Sequence, residues 1–300
     1  MHNLSNTLKT WTLMAALGGL LIAVGGLIGG QSGLVMAFLF AIALNGFIYW
    51  KSDSIALRAN GARELAPGEQ PRLVSIVGLL ADRAGIPMPR VYLVDRPEPN
   101  AFATGRDPKH AAIAVTTGLL GAMDERQLIG VLAHELSHVK NRDTLIGTIA
   151  ATIGGTISFL AQMGQFQLIF GGGDEDNGNP ILVLLGVILA PIAAMIIQLA
   201  VSRGREYLAD STGASLTGDP EGLAQALETL QAAQQQGLLA RMRGGLPGRR
   251  EPAPQGNPAF SHLWIVNPLS GGDVARLFST HPPLDERIAR LRAMRLRRAA

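Results

Sequence analysis

Three stretches of this chain carry no charged side chain: residues 10–50, 144–173 and 177–202. A helix needs about 20 apolar residues to cross the hydrocarbon core of a bilayer. The first stretch has room for two spans, with Gly29-Gly30-Gln31-Ser32-Gly33 as the turn between them, and each of the others has room for one. The expected spans run from Trp11 to about Ile28, from Leu34 to Trp50, from Thr144 to about Phe170, and from Ile181 to Val201. Tyr49 and Trp50 fall where interfacial anchors belong, and Pro191 is placed to kink the fourth span. Buried core helices are the alternative, but uncharged runs of this length are rare in soluble domains.

The remaining segments have mixed patterning. Pro71 to Ala84 repeats Leu73, Ile76, Val77 and Leu80 at helical spacing and is stopped by Gly85 and Pro87. Arg90 to Asp95 alternates as a strand, and 100–105 and 111–116 read as two more short strands. Asp124, with Gln127 at the capping-box position, opens a helix whose apolar face is Leu128, Val131 and Leu132. Arg203 to Leu216 reads as a helix running out of the fourth span, and Asp219-Pro220-Glu221 opens another. Residues 236–260, rich in Gly, Pro and Gln, read as a mobile loop, and an Arg-rich helix follows His281-Pro282-Pro283.

Composition and charge sharpen this picture. Of 300 residues 47% are apolar and only 16% charged, which is low for a soluble protein. The net charge is +3, but the basic residues gather beside the spans and at the C-terminus, a pattern of membrane topology rather than of nucleic-acid binding. The inter-span turns 29–33 and 171–180 contain no Lys or Arg, whereas Lys9, Lys51, Arg58, Lys140, Arg142, Arg203 and Arg205 flank the spans on the other side. The positive-inside rule then puts both termini and both polar segments in the cytoplasm. The expected organisation is two N-terminal spans (1–50), the first part of a cytoplasmic domain (51–143), two further spans (144–201) and the second part of that domain (202–300). The fold class is a mainly α membrane protein with four transmembrane helices and an α+β cytoplasmic domain bearing a small sheet. The terminal arginines from Arg287 to Arg298 read as a solvated face. Absence of cysteine excludes disulfides and thiolate metal ligands.

The candidate chemistry sits at His134-Glu135-Leu136-Ser137-His138, an H-E-x-x-H sequence. On a helix the two histidines share one face and can reach one ion, with Glu135 beside them to handle a bound water. A catalytic zinc site needs a third protein ligand and an open fourth position. The best candidate is Glu206, on the helix that leaves the fourth span on the same side. Asp210, one turn on, suits acceptance of a ligand histidine's outer N–H. Asp143 is placed to cap or brace the metal helix.

Four elements together resemble the HtpX family of membrane zinc metalloproteases, relatives of the CAAX prenyl proteases: Pro99 to Gly105, His134 to His138 with Asp143, Arg203 to Asp210, and His281-Pro282-Pro283. The resemblance covers nearly the whole chain. It implies a zincin-like (gluzincin) catalytic domain and one Zn2+ per chain held by His134, His138 and Glu206. It also implies an endopeptidase that degrades misfolded membrane proteins at the cytoplasmic face of a prokaryotic inner membrane. The expected partners are protein substrates and the lipid bilayer, with no nucleic acid; a homo-oligomer is left open. Asn100, Ala101 and Phe102 belong to a candidate substrate-binding edge strand. His281 is a candidate transition-state stabiliser, readable equally as a structural cap. The rival readings are a prenyl-processing protease and a non-catalytic scaffold that keeps a structural zinc.

Overall fold

The computed structural model describes residues 2–150, 203–243, 265 and 282–299. The expected third span beyond residue 150, the expected fourth span, residues 244–260 and His281 lie outside the described residues.

Helix α1 (His2–Ala59) reverses on itself at Gly30, whose φ of 56° and ψ of −140° suit a residue without Cβ. The two arms run back along each other. Trp11 stacks on Tyr49 with ring centroids 6.2 Å apart, and Leu13, Met14 and Leu17 share a buried cluster with Ile48. That cluster also takes in Leu145, Ile146, Ile149 and Ala150, so the start of the third expected span packs on the hairpin. The turn falls where the glycines predict it, but the second arm continues past Trp50 to Ala59. Gly29–Ala59 is, among the described residues, the helix long and apolar enough to cross a membrane; Leu8–Ala23 is a shorter apolar helix.

Past the hairpin the chain forms a four-stranded sheet of β1 (Ala62–Glu64), β2 (Arg90–Val94), β3 (Ala101–Thr104) and β4 (Ala112–Thr116), in the order β1-β2-β4-β3. β2 and β4 are parallel; β1 and β3 run antiparallel on the two edges. Alternation sends Val91, Leu93, Ile113 and Val115 to one face, which packs on α2 (Pro71–Ala84) and the main core. The other face, with Tyr92, Phe102 and Ala114, is covered by Ala56 and Leu57 at the end of α1. Both faces are therefore buried. β1 was not legible, because Ala-Arg-Glu carries no strand pattern; its backbone is recruited by β2.

A short α3 (Thr117–Ala122) leads into α4 (Glu125–Lys140), and the core is completed by α5 (Arg203–Thr217), α6 (Pro220–Arg243) and α7 (Leu284–Ala299). α6 extends to Arg243, so the loop expected from residue 236 begins later. Gln and Ala are good helix formers, and one glycine, Gly237, costs only about 1 kcal/mol.

Candidate metal centre

α4 is started by the capping box expected at Asp124: its carboxylate accepts from the Gln127 N–H at 2.8 Å, and the Gln127 side chain accepts from the Asp124 N–H at 3.2 Å. This helix carries His134, Glu135 and His138 into the interior. α5 crosses it at Gly213, where an added Cβ would lie 3.0 Å from the His134 backbone nitrogen. Only a residue this small lets the backbones come so close, and that contact brings Glu206 and Asp210 of α5 against the two histidines.

The Nε2 atoms of His134 and His138 are 3.2 Å apart. Glu206 Oε2 is 3.7 Å from the first and Oε1 is 3.7 Å from the second. The outer nitrogens face carboxylates: His134 Nδ1 lies 2.9 Å from Asp210 Oδ1, and His138 Nδ1 lies 3.0 Å from Asp143 Oδ1. Arg142, at φ 56°, turns the chain after α4 so that Asp143 reaches back to His138. A carboxylate only accepts, so each Nδ1 carries the hydrogen that faces it, and each Nε2 is left pointing inward, able to bind an ion once it has shed any hydrogen. Two ring nitrogens and a carboxylate thus converge on one point. Such a cage of acceptors is stable only around a positive charge.

Electrostatics point to the sign of that charge. Glu135, Asp143, Glu206 and Asp210 are all buried, and the cations against them are Arg287, also buried, and half-buried Arg205. Four carboxyl groups against two guanidiniums make acids the majority in the pocket. The titrating groups register the imbalance. Burial alone would lower the His138 pKa, but Asp143, Glu206 and Glu135 outweigh it and raise it to about 10. Burial, with Glu206 adding, raises the Glu135 pKa to about 8. Asp210 resists its own burial because Arg287 and His134 hold it down at about 2. His134 moves the other way, lowered by burial and by Arg287. Tetrahedral coordination at about 2.0–2.1 Å places two nitrogens about 3.3 Å apart, close to the separation found here.

Glu135 is fixed from the sheet: its Oε2 accepts the Ala103 N–H of β3 at 2.9 Å. β3 is the sheet edge that the sequence suggests, with Asn100, Ala101 and Phe102 all buried. Its outward groups have partners in this structure. The Ala101 carbonyl accepts the Ile265 N–H at 3.2 Å, and the Ala101 N–H donates to the Asn100 side chain at 3.1 Å. The far end of β3 is tied to residues 144–150. Thr144 donates to the Gly105 carbonyl at 2.8 Å, and the hydroxyls of Thr104 and Thr148 are 3.0 Å apart.

One buried charge in the pocket contradicts the sequence reading. Arg290 and Arg292 do lie on a solvated face, with side chains 52% and 44% exposed, but Arg287 is fully buried against Asp210 and Glu206. Its burial comes from how α7 crosses α5, and no local pattern in an Arg-rich helix marks it.

The profile of peptidase family M48 matches residues 67–295, more than half of the chain. The chain belongs to peptidase family M48. Its relatives agree along nearly the whole length. A protease HtpX homolog from Persephonella marina is 53% identical over 291 residues, covering 96% of this chain and 97% of the relative. Counterparts from Pelotomaculum thermopropionicum and Pyrococcus furiosus are 50% and 51% identical, covering 96% and 95% of this chain and 99% and 94% of theirs. The HtpX resemblance carried by the four sequence elements is thereby confirmed. Among solved structures, S. mikatae Ste24p aligns with a TM-score of 0.48 at 20% identity, over 96% of this chain and 66% of that one. As a member of M48 the protein is a metallopeptidase. Among the described residues, His134, His138 and Glu206 are the grouping of ligand atoms, all within 4.8 Å of one another, that could hold its metal.

Proposed function

We propose that this M48 peptidase is a zinc-dependent endopeptidase acting on membrane proteins at the cytoplasmic face of a prokaryotic plasma membrane. The observation that carries the reading is the convergence of the two Nε2 atoms and the Glu206 carboxylate, with both outer nitrogens held by acids. Two imidazoles and one carboxylate, with no thiolate available, suit zinc in a three-ligand site that keeps an open position. A zinc ion there would polarise the scissile carbonyl and bring the pKa of a coordinated water toward neutrality.

The chain's own residues supply the rest. Asp210 and Asp143 orient the ligand histidines through their outer N–H groups. Glu135 takes the proton of the attacking water and delivers it to the leaving amine, its carboxylate aimed by the Ala103 N–H. An extended substrate would pair with the β3 edge at Asn100, Ala101 and Phe102 by taking the place of Ile265 on the Ala101 carbonyl, which supports loose sequence preference, since backbone bonds carry no side-chain information. His281 is kept as a candidate stabiliser of the oxyanion. The α1 hairpin, with three of its apolar contacts on residues 145–149, supports four spans whose base lies against the metal helix. That position favours damaged or misfolded membrane proteins as substrates.

The test is casein digestion by the full chain in detergent. Zinc-loaded protein should cleave casein, chelator should abolish cleavage, and Glu135→Gln should retain zinc yet lose about 10²–10⁴-fold in rate. Zinc binding without cleavage by the unmodified chain would favour the scaffold reading, and undiminished cleavage by Glu135→Gln would refute the assigned base.

A further inference from the structure

We propose that Arg287 is a positioning residue of the metal centre, so that the C-terminal helix α7 completes the site. The inference rests on the zinc reading above. Arg287 Nε donates to Asp210 Oδ2 at 2.9 Å and Nη2 to Asp210 Oδ1 at 2.7 Å, a two-bond fork on the carboxylate that faces His134 Nδ1. Nη1 lies 3.5 Å from Glu206 Oε2, and Nη2 lies 3.3 Å from His134 Nε2. One guanidinium therefore contacts an orienting acid, a ligand acid and a ligand imidazole.

Two observations separate this from ordinary structural use. α7 is already anchored by buried Ile288 and Leu291, so the helix does not need a charge to dock. Burying a cation is expensive unless its partners require it. Full burial also prevents Arg287 from touching substrate, so it acts through Asp210 and Glu206. The planar fork matters as much as the charge, because a lysine ammonium cannot hold both oxygens of Asp210 in one plane. With the fork in place Asp210 cannot rotate, His134 keeps its tautomer, and Glu206 keeps its second oxygen turned to the site.

The experiment uses the full chain in detergent with Arg287→Lys, Asp210→Asn, the double variant, and Arg292→Lys as an exposed control. The readouts are the rate of zinc release to a chromogenic chelator and the visible spectrum of the cobalt-substituted protein. Arg287→Lys should release zinc about 10–100-fold faster and change the cobalt bands. The double variant should fall short of the product of the single effects, since both act through one carboxylate. Arg292→Lys should match the unmodified chain. Unchanged release and spectrum in Arg287→Lys, or effects that multiply, would overturn the inference. If Arg287→Lys does not fold, Arg287→Gln, which leaves Asp210 in place, decides: a changed cobalt spectrum supports the fork and an unchanged one overturns it. Failure of the unmodified chain to take up one equivalent of metal would instead refute the zinc reading itself.

Discussion

The hairpin and the metal centre are built with opposite polarity. Of fourteen large apolar side chains that stand exposed among the described residues, eleven belong to α1, including Phe38, Leu39, Phe40 and Phe47. Twenty ångströms or more of helix thus turn its apolar side outward. At the metal centre the reverse holds: Glu135, Asp210 and Arg287 are each at most 2% exposed. Neither arrangement is stable in the solvent that suits an ordinary domain. The hairpin needs hydrocarbon around it, and the charge cluster needs a cation within it. Each region therefore names its missing partner through the rule it breaks.

The largest effect should follow from removing a ligand. Glu206→Ala takes one donor from the cage and leaves Arg287 facing an empty place. Zinc measured by elemental analysis after dialysis should fall from one equivalent to nearly none, and peptidase activity by at least about 10³-fold. Retained zinc would remove Glu206 from the ligand set and with it the argument from converging acceptors.

A smaller but still severe effect is expected from Gly213→Val. Even a Cβ there sits 3.0 Å from the His134 nitrogen and 3.1 Å from the Ala133 carbonyl carbon, and both neighbours are backbone that cannot swing away. α5 must move off α4, carrying Glu206 and Asp210 with it. Overpacking of this kind costs about 1–3 kcal/mol, and a displacement near 1 Å at a catalytic site costs about 10²-fold in rate. Activity should drop further than thermal stability. Equal, proportionate losses would mean that Gly213 serves packing only.

How much of this was legible in the sequence depends on whether a signal was local. His134, Glu135 and His138 declare themselves through one helical turn, and Asp210 follows from Glu206 by the same spacing. The hairpin is visible because a bilayer demands a long uncharged run. β3 and β4 show as short apolar runs between turn residues. Arg287 is not distinguishable in the sequence because the six arginines of one helix look alike until α7 is set against α5. The helix beyond residue 236 is hidden because its last turns share a stretch rich in Gly, Pro and Gln with the segment that follows. β1 has no pattern of its own and exists only because β2 lies beside it.

Lysine scanning of exposed leucines tests the polarity contrast directly. Leu39 is 57% exposed on α1 and Leu79 is 52% exposed on α2, so by accessibility the two sites are nearly equal. If Leu39 faces lipid, Leu39→Lys should weaken membrane insertion by about 2.5–3.5 kcal/mol at full depth, less where the amine reaches the headgroups. A glycosylation-based insertion assay on the full chain reads that shift. Leu79 lies on the outer side of a helix whose buried residues are Leu73, Ile76, Val77, Leu80, Ala81 and Ala84. Water is the expected neighbour there, so Leu79→Lys should change thermal stability by no more than about 0.5 kcal/mol and leave casein cleavage intact. This is the smallest effect predicted, and it is informative because it is small. A large loss at Leu79 would mean that the α2 face is covered by a second copy or by the bilayer, and exposure in a single chain would then no longer separate the face turned to lipid from the face turned to water.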